Sequence, residues 1–162
     1  MSSNRHLSRI IAMQTLFEWD FLNVKCGKDL DLRKDFPIIF ERNYKEFASS
    51  IDSENFANDL VSGVMSSRDA IDDIIKPAAP EWPIDQIALV DLEVLRVGIY
   101  ELLFAKDVPP KVAINEAVET AKAFGGENSS RFVNGVLGTV YRASDIYKPE
   151  EDVRANKGDK NE

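Results

Sequence analysis

From Leu7 to Val140, apolar residues recur at intervals of three and four, and no segment sustains a period-two alternation between turn residues. That rhythm puts apolar side chains on one face of a helix and excludes half-buried strands, so it constrains the chain to an all-α fold. About seven helices are expected. The first covers residues 7–22, with Ile10, Met13, Phe17 and Phe21 on one side. A polar link containing Gly27 and ending at Pro37 leads to a weaker helix over 38–50. Asp52 or Ser53 can cap a long third helix by accepting a free backbone N–H. That helix reaches residue 75 through Phe56, Leu60, Val64, Ile71 and Ile74, and Pro77 and Pro80 stop it. Pro83 suits the first turn of a short fourth helix. The fifth, over 90–104, is apolar on most sides and should be the buried central one. Pro109 and Pro110 start a sixth, with a stripe of Ile114, Ala117, Val118, Ala121 and Phe124 that Gly125 and Gly126 end. The last starts near Asn128 and Ser129 and runs to about residue 145 on Val133, Val136, Leu137 and Val140.

With 162 residues, 44% of them apolar, the chain is long enough to close one core. A single domain is expected over residues 1–146. From 147 to 162 the sequence is charged and poor in large apolar residues, the pattern of a disordered tail. Cys26 is the only cysteine, which rules out an intramolecular disulfide and a cysteine metal cage. No apolar stretch precedes a cleavage signal and no run approaches about 18 apolar residues, so a cytoplasmic protein away from membranes is expected.

Chemistry of a catalytic kind finds few residues to work with. The only imidazole is His6, close to the N-terminus, so a Ser or Cys nucleophile has no well-placed base. A GxxxxGK loop is absent, and Gly125–Gly126 reads as a helix end rather than a phosphate cradle. No enzyme and no cofactor is expected. Adjacent acids such as Asp72 and Asp73 read as a solvated face.

A net charge of -8 runs against the basic excess usual in nucleic-acid binders, but its distribution is uneven. Residues 26–105 hold eight basic against sixteen acidic side chains, while 1–25 and 106–148 are each one unit positive. The two ends can therefore meet an anion together if folding joins them. Arg5, His6 and Arg9 share one side of the first helix at spacings of three and four. Cations at a helix N-terminus oppose its dipole, so phosphate neutralisation is one reason for their presence and simple solubility is another. At the start of the last helix, Asn128, Ser129, Ser130 and Arg131 make a reasonable anion site. Phe132 follows at the border of the apolar stripe, where spacing favours burial over stacking on an unpaired base.

The segments KVAINEA (111–117), AKAFG (121–125) and RFVNGVL (131–137) resemble the NusB family of transcription antitermination factors. Arg9, Ala12, Gln14 and Leu16 repeat a second family pattern. Val90, Asp91, Leu95, Arg96, Tyr100, Glu101 and Leu102 repeat a third. The resemblance covers roughly residues 5–145 and is weakest over 24–50. It implies two packed helical subdomains, with the first helix near the start of the last. It also implies a protein that pairs with NusE, a small-subunit ribosomal protein, and binds the single-stranded boxA element of ribosomal RNA leader transcripts. Through the RNA polymerase antitermination complex it would support ribosomal RNA synthesis.

By position, Arg5 and Arg9, with His6 between them, fall in the family's basic N-terminal segment, and Lys111, Asn128, Arg131 and Phe132 match the rest of its RNA surface. Phe17, Asp91 and Arg96 match the side facing NusE. An exposed helical pairing of Glu93 with Arg96 is the plainer reading of that last residue. The segment SSNRHLSR is thinner in arginine than is usual in the family, which implies weaker and less salt-sensitive binding. Two further readings are a protein-interaction scaffold with little RNA binding, and a stand-alone relative of the RNA-binding domain of ribosomal RNA methyltransferases. The latter has no length here for a cofactor-binding sheet.

Overall fold

The computed structural model describes residues 2–48 and 54–152, which form five α-helices and no strand. Helix α1 (Ser2–Asp20) widens into one π-turn at Phe21–Lys25. Helices α2 (Asp35–Ala48) and α3 (Glu54–Ala78) follow. Helix α4 (Leu89–Ile99) widens in the same way at Tyr100–Ala105, and α5 (Pro110–Arg142) completes the set.

The count is five rather than seven for two physical reasons. The segment after Pro83 closes only a single 3-10 turn, Ile84–Gln86. The expected sixth and seventh helices run on as one element bent at Gly126, whose φ of 84° and ψ of -168° are not helical. That conformation is open essentially to glycine alone, so Gly126 bends the helix instead of ending it. Helix α2 begins three residues before its expected start and holds Pro37 in its first turn, where no N–H is required. Asp31 prepares that turn by accepting the backbone N–H groups of Arg33 and Lys34 at 2.8 and 3.2 Å. The expected capping residues Asp52 and Ser53 lie outside the described residues.

Two apolar clusters hold the helices together. The larger joins Ile71 and Ile75 of α3, Leu95 and Ile99 of α4, and Val133 and Leu137 of α5. The smaller joins Ile11, Leu16 and Trp19 of α1 to Phe40 of α2 and Leu60 and Val64 of α3. Burying each such side chain contributes about 2 kcal/mol. Helix α1 also sends Met13 into the larger cluster, and α4 sends Val97 into the smaller, so both helices are buried on more than one side. This is why Ile11 and Leu16 are more deeply buried than the expected stripe residue Phe21, which is 44% exposed. Phe124, the end of the other expected stripe, is likewise exposed beside the bend.

Within residues 147–152, expected to open the charged tail, Tyr147 and Asp152 pack back on the fold while 148–151 are exposed. Tyr141 and Tyr147 meet edge to face with centroids 5.2 Å apart. The Tyr147 hydroxyl donates to buried Asp152 at 3.1 Å. The remainder of the expected tail, 153–162, lies outside the described residues. No helix among those described is long and apolar enough to cross a membrane.

Candidate nucleic-acid and partner interface

The N-terminal cations do share one side of α1, but that side faces other helices. Arg9 is 5% exposed and donates from Nε and Nη2 to the two carboxylate oxygens of Glu101 at 2.6 and 2.9 Å. Both engaged donors of that fork are taken by Glu101, so Arg9, expected on the RNA surface, stands in a buried ion pair. His6 Nδ1 lies 2.5 Å from Glu116 Oε2, and Arg9 Nη1 lies 3.7 Å from the same oxygen. These carboxylates, rather than an external anion, answer the cations that the helix dipole disfavours. Arg5 differs from its neighbours. It is exposed, and its guanidinium lies 4.8 Å from the centroid of the Phe56 ring.

The contacts with Glu116 bring the start of α1 against the first arm of α5. Lys111, in the first turns of that arm, is exposed. Asn128 and Arg131 are exposed on the second arm, beyond the bend. Among the described residues no hydrogen bond or ion pair links either of them to α1. Phe132 is half-buried against the larger cluster, as its spacing favoured, so its ring is only partly open to a base.

Beside the bend, the second arm meets α4 at a polar junction, in addition to its apolar packing on that helix. Asp91, in the first turn of α4, is 8% exposed and has no hydrogen-bond partner at Oδ1. Burial pushes its carboxyl above the usual range, against the opposing hydrogen bond with the Ser129 side chain. At Gly125 a Cβ would fall 2.2 Å from Ser129 Oγ and 3.3 Å from Asp91 Oδ1, so only glycine admits this approach. Asp91 therefore looks inward at the bend more than outward at a partner.

Arg96, also expected on the partner face, is buried as well. It is 2% exposed and meets Asp72 through Nε and Nη2 at 2.9 and 3.0 Å, Asp20 at 2.9 Å and Glu93 at 2.8 Å. The Glu93–Arg96 pair exists, but it is buried rather than exposed, and Asp72 is part of the network rather than a solvated face. Arg68 adds a bond to Asp20 at 2.6 Å. Burial and the adjacent Asp20 push Glu93 well above the carboxylate range. Burial also raises Asp20, but the hydrogen bond with Glu93 and the Arg68 guanidinium outweigh it and hold Asp20 low. Of the three expected partner residues, only Phe17 keeps an open side. It packs against the larger cluster and stacks on exposed Phe21, with centroids 5.9 Å apart and planes 9° from parallel.

Sequence reasoning missed Glu101, Glu116, Asp20 and Phe56. The charged residues had a readable signal, since Glu93, Arg96 and Glu101 interrupt an otherwise apolar helix and buried charges require partners. Phe56 had none, because a stacked guanidinium leaves no mark on apolar spacing.

The NusB family model matches residues 6–142. The transcription antitermination protein NusB of Chloroflexus aggregans is 45% identical over 142 residues, covering 86% of this chain and 88% of that protein. That of Herpetosiphon aurantiacus is 40% identical over 155 residues, covering 94% and 96%. A crystal structure of antitermination factors NusB and NusE in complex with dsRNA superposes with a TM-score of 0.74 at 28% identity. It covers 89% of this chain and all of that one. NusB of T. maritima gives 0.72 at 32% identity, over 91% and 94%. Matched along nearly its whole length in sequence and in fold, the chain belongs to the NusB family.

Proposed function

We propose that this protein is an RNA-binding transcription antitermination factor that pairs with ribosomal protein NusE, binds boxA of ribosomal RNA leader transcripts and supports ribosomal RNA synthesis. The observation that carries this reading is the superposition, over most of the chain, on a NusB solved with NusE and RNA. The RNA surface comprises exposed Arg5 on α1 and exposed Lys111, Asn128 and Arg131 on the two arms of α5, with the open part of the Phe132 ring beside them. Phe17, with Phe21 and exposed Val24 after it, offers NusE an apolar strip at the end of α1. Asp91 and Arg96 act behind these surfaces by fixing helices. The two apolar clusters are read as two packed subdomains of one domain over residues 1–146. The protein acts by binding, in the cytoplasm, without a reaction of its own.

Fluorescence anisotropy with boxA, scrambled and duplex RNA, with and without the cognate NusE, tests this. Preferential binding of single-stranded boxA in the presence of NusE is expected. Equal affinity for scrambled RNA would overturn the reading. A second reading, a scaffold that binds NusE with little RNA contact, draws support from the closure of Arg9 by Glu101. Tight NusE binding unaffected by RNA would favour it.

A further inference from the structure

Phe56 sits on α3, half-buried against the smaller apolar cluster, and two guanidinium groups lie over its ring. Arg9 is 5.3 Å from the centroid and Arg5 is 4.8 Å. The two cations are not equivalent. Arg9 is buried with both of its engaged donors on Glu101. Arg5 is exposed and has no carboxylate partner among the described residues.

A guanidinium over an aromatic face is held by the ring quadrupole while its N–H donors, which lie in the guanidinium plane, remain free. A leucine at this position would serve the apolar cluster nearly as well but would offer no such face. We infer that Phe56 is a positioning residue for phosphate recognition, its ring fixed by the cluster and by Arg9, and the ring in turn holding Arg5 as a ready fork for the phosphodiester backbone of single-stranded RNA. This rests on the RNA binding proposed above. It adds a third helix to that surface, and it gives buried Arg9 an indirect part in RNA binding that its burial denies it directly.

The test measures boxA affinity by anisotropy in the presence of NusE for the wild type, F56L, F56Y, R5A, R5K and the doubles R5A/F56L and K111A/F56L. Loss of the stacked face should weaken binding about three- to tenfold in F56L, while F56Y stays within about twofold of wild type. R5K keeps the charge but loses the planar fork, and it should fall with F56L. The F56L loss should vanish in the R5A background and persist in the K111A background, because only Arg5 transmits it. A merely structural loss would appear equally in both backgrounds and would overturn the inference. Wild-type affinity in R5K would do the same even if F56L failed to fold. Wild-type protein that binds no RNA would overturn both this inference and the reading beneath it, whereas normal binding by F56L would sink this inference alone.

Discussion

Arg5, Arg9 and Arg96 carry the same side chain in three electrostatic settings, and the differences decide what each does. Arg5 is open to solvent, Arg9 is closed by Glu101 with Glu116 near by, and Arg96 is closed by three carboxylates. Residue type, helical spacing and the local Glu93–Arg96 pair were legible in the sequence, but the distant partners were not, because Glu101 is 92 positions from Arg9 and Asp20 is 76 from Arg96. The network around Arg96 makes a prediction about pH. Glu93 has a folded-state value raised above the ordinary 4.5, first by burial and then by Asp20. Its contribution to stability is full below the unfolded value and is lost as pH rises through the folded one. Glu93→Gln keeps the shape and removes the titration. Urea unfolding should therefore show wild-type stability falling with rising pH above about 4.5, and a flatter profile in E93Q. Parallel profiles would show that Glu93 is ordinary after all.

At the scale of elements, the helices were readable because their apolar spacing persists, and their number was not, because the spacing cannot tell a glycine that ends a helix from one that bends it. Gly125 and Gly126 offered both outcomes. The second arm of α5 is aimed by the backbone of Gly126, and Asp91 and Ser129 crowd against Gly125 beside the bend. A Cβ at Gly126 meets nothing within 4 Å, so a substitution there meets backbone strain alone. Gly126→Ala should cost about 1–3 kcal/mol in chemical denaturation. Because Asn128 and Arg131 lie beyond the bend, it should also weaken boxA binding more than an equally destabilising change in the smaller cluster. Equal losses of affinity in the two variants would separate the bend from the binding surface.

For the whole molecule, α1 and α4 tie two apolar clusters together, with the polar network of Asp20, Arg68, Asp72, Glu93 and Arg96 drawn from α1, α3 and α4. The charge map read from the sequence found the two less acidic ends, and the fold joins them through His6, Arg9 and Glu116. It overstated the charge on offer, since Arg9 counts in the sum but not on the surface. Arg5, Lys111 and Arg131 remain as exposed cations on the proposed RNA face. Three phosphate contacts on a single strand set a slope of log affinity against log salt no steeper than about -2. A titration of the protein without NusE checks this, and a much steeper slope would reveal contacts outside that face.

The buried pairing of Arg9 with Glu101 has a bearing on life among many competing transcripts. A protein of net charge -8, with Arg9 already taken by Glu101, adsorbs weakly to bulk RNA, so little of it is sequestered on the wrong strands. Its discrimination is then served by a low background as well as by tight recognition, and its occupancy should follow the supply of NusE more closely than the ionic strength of the cell.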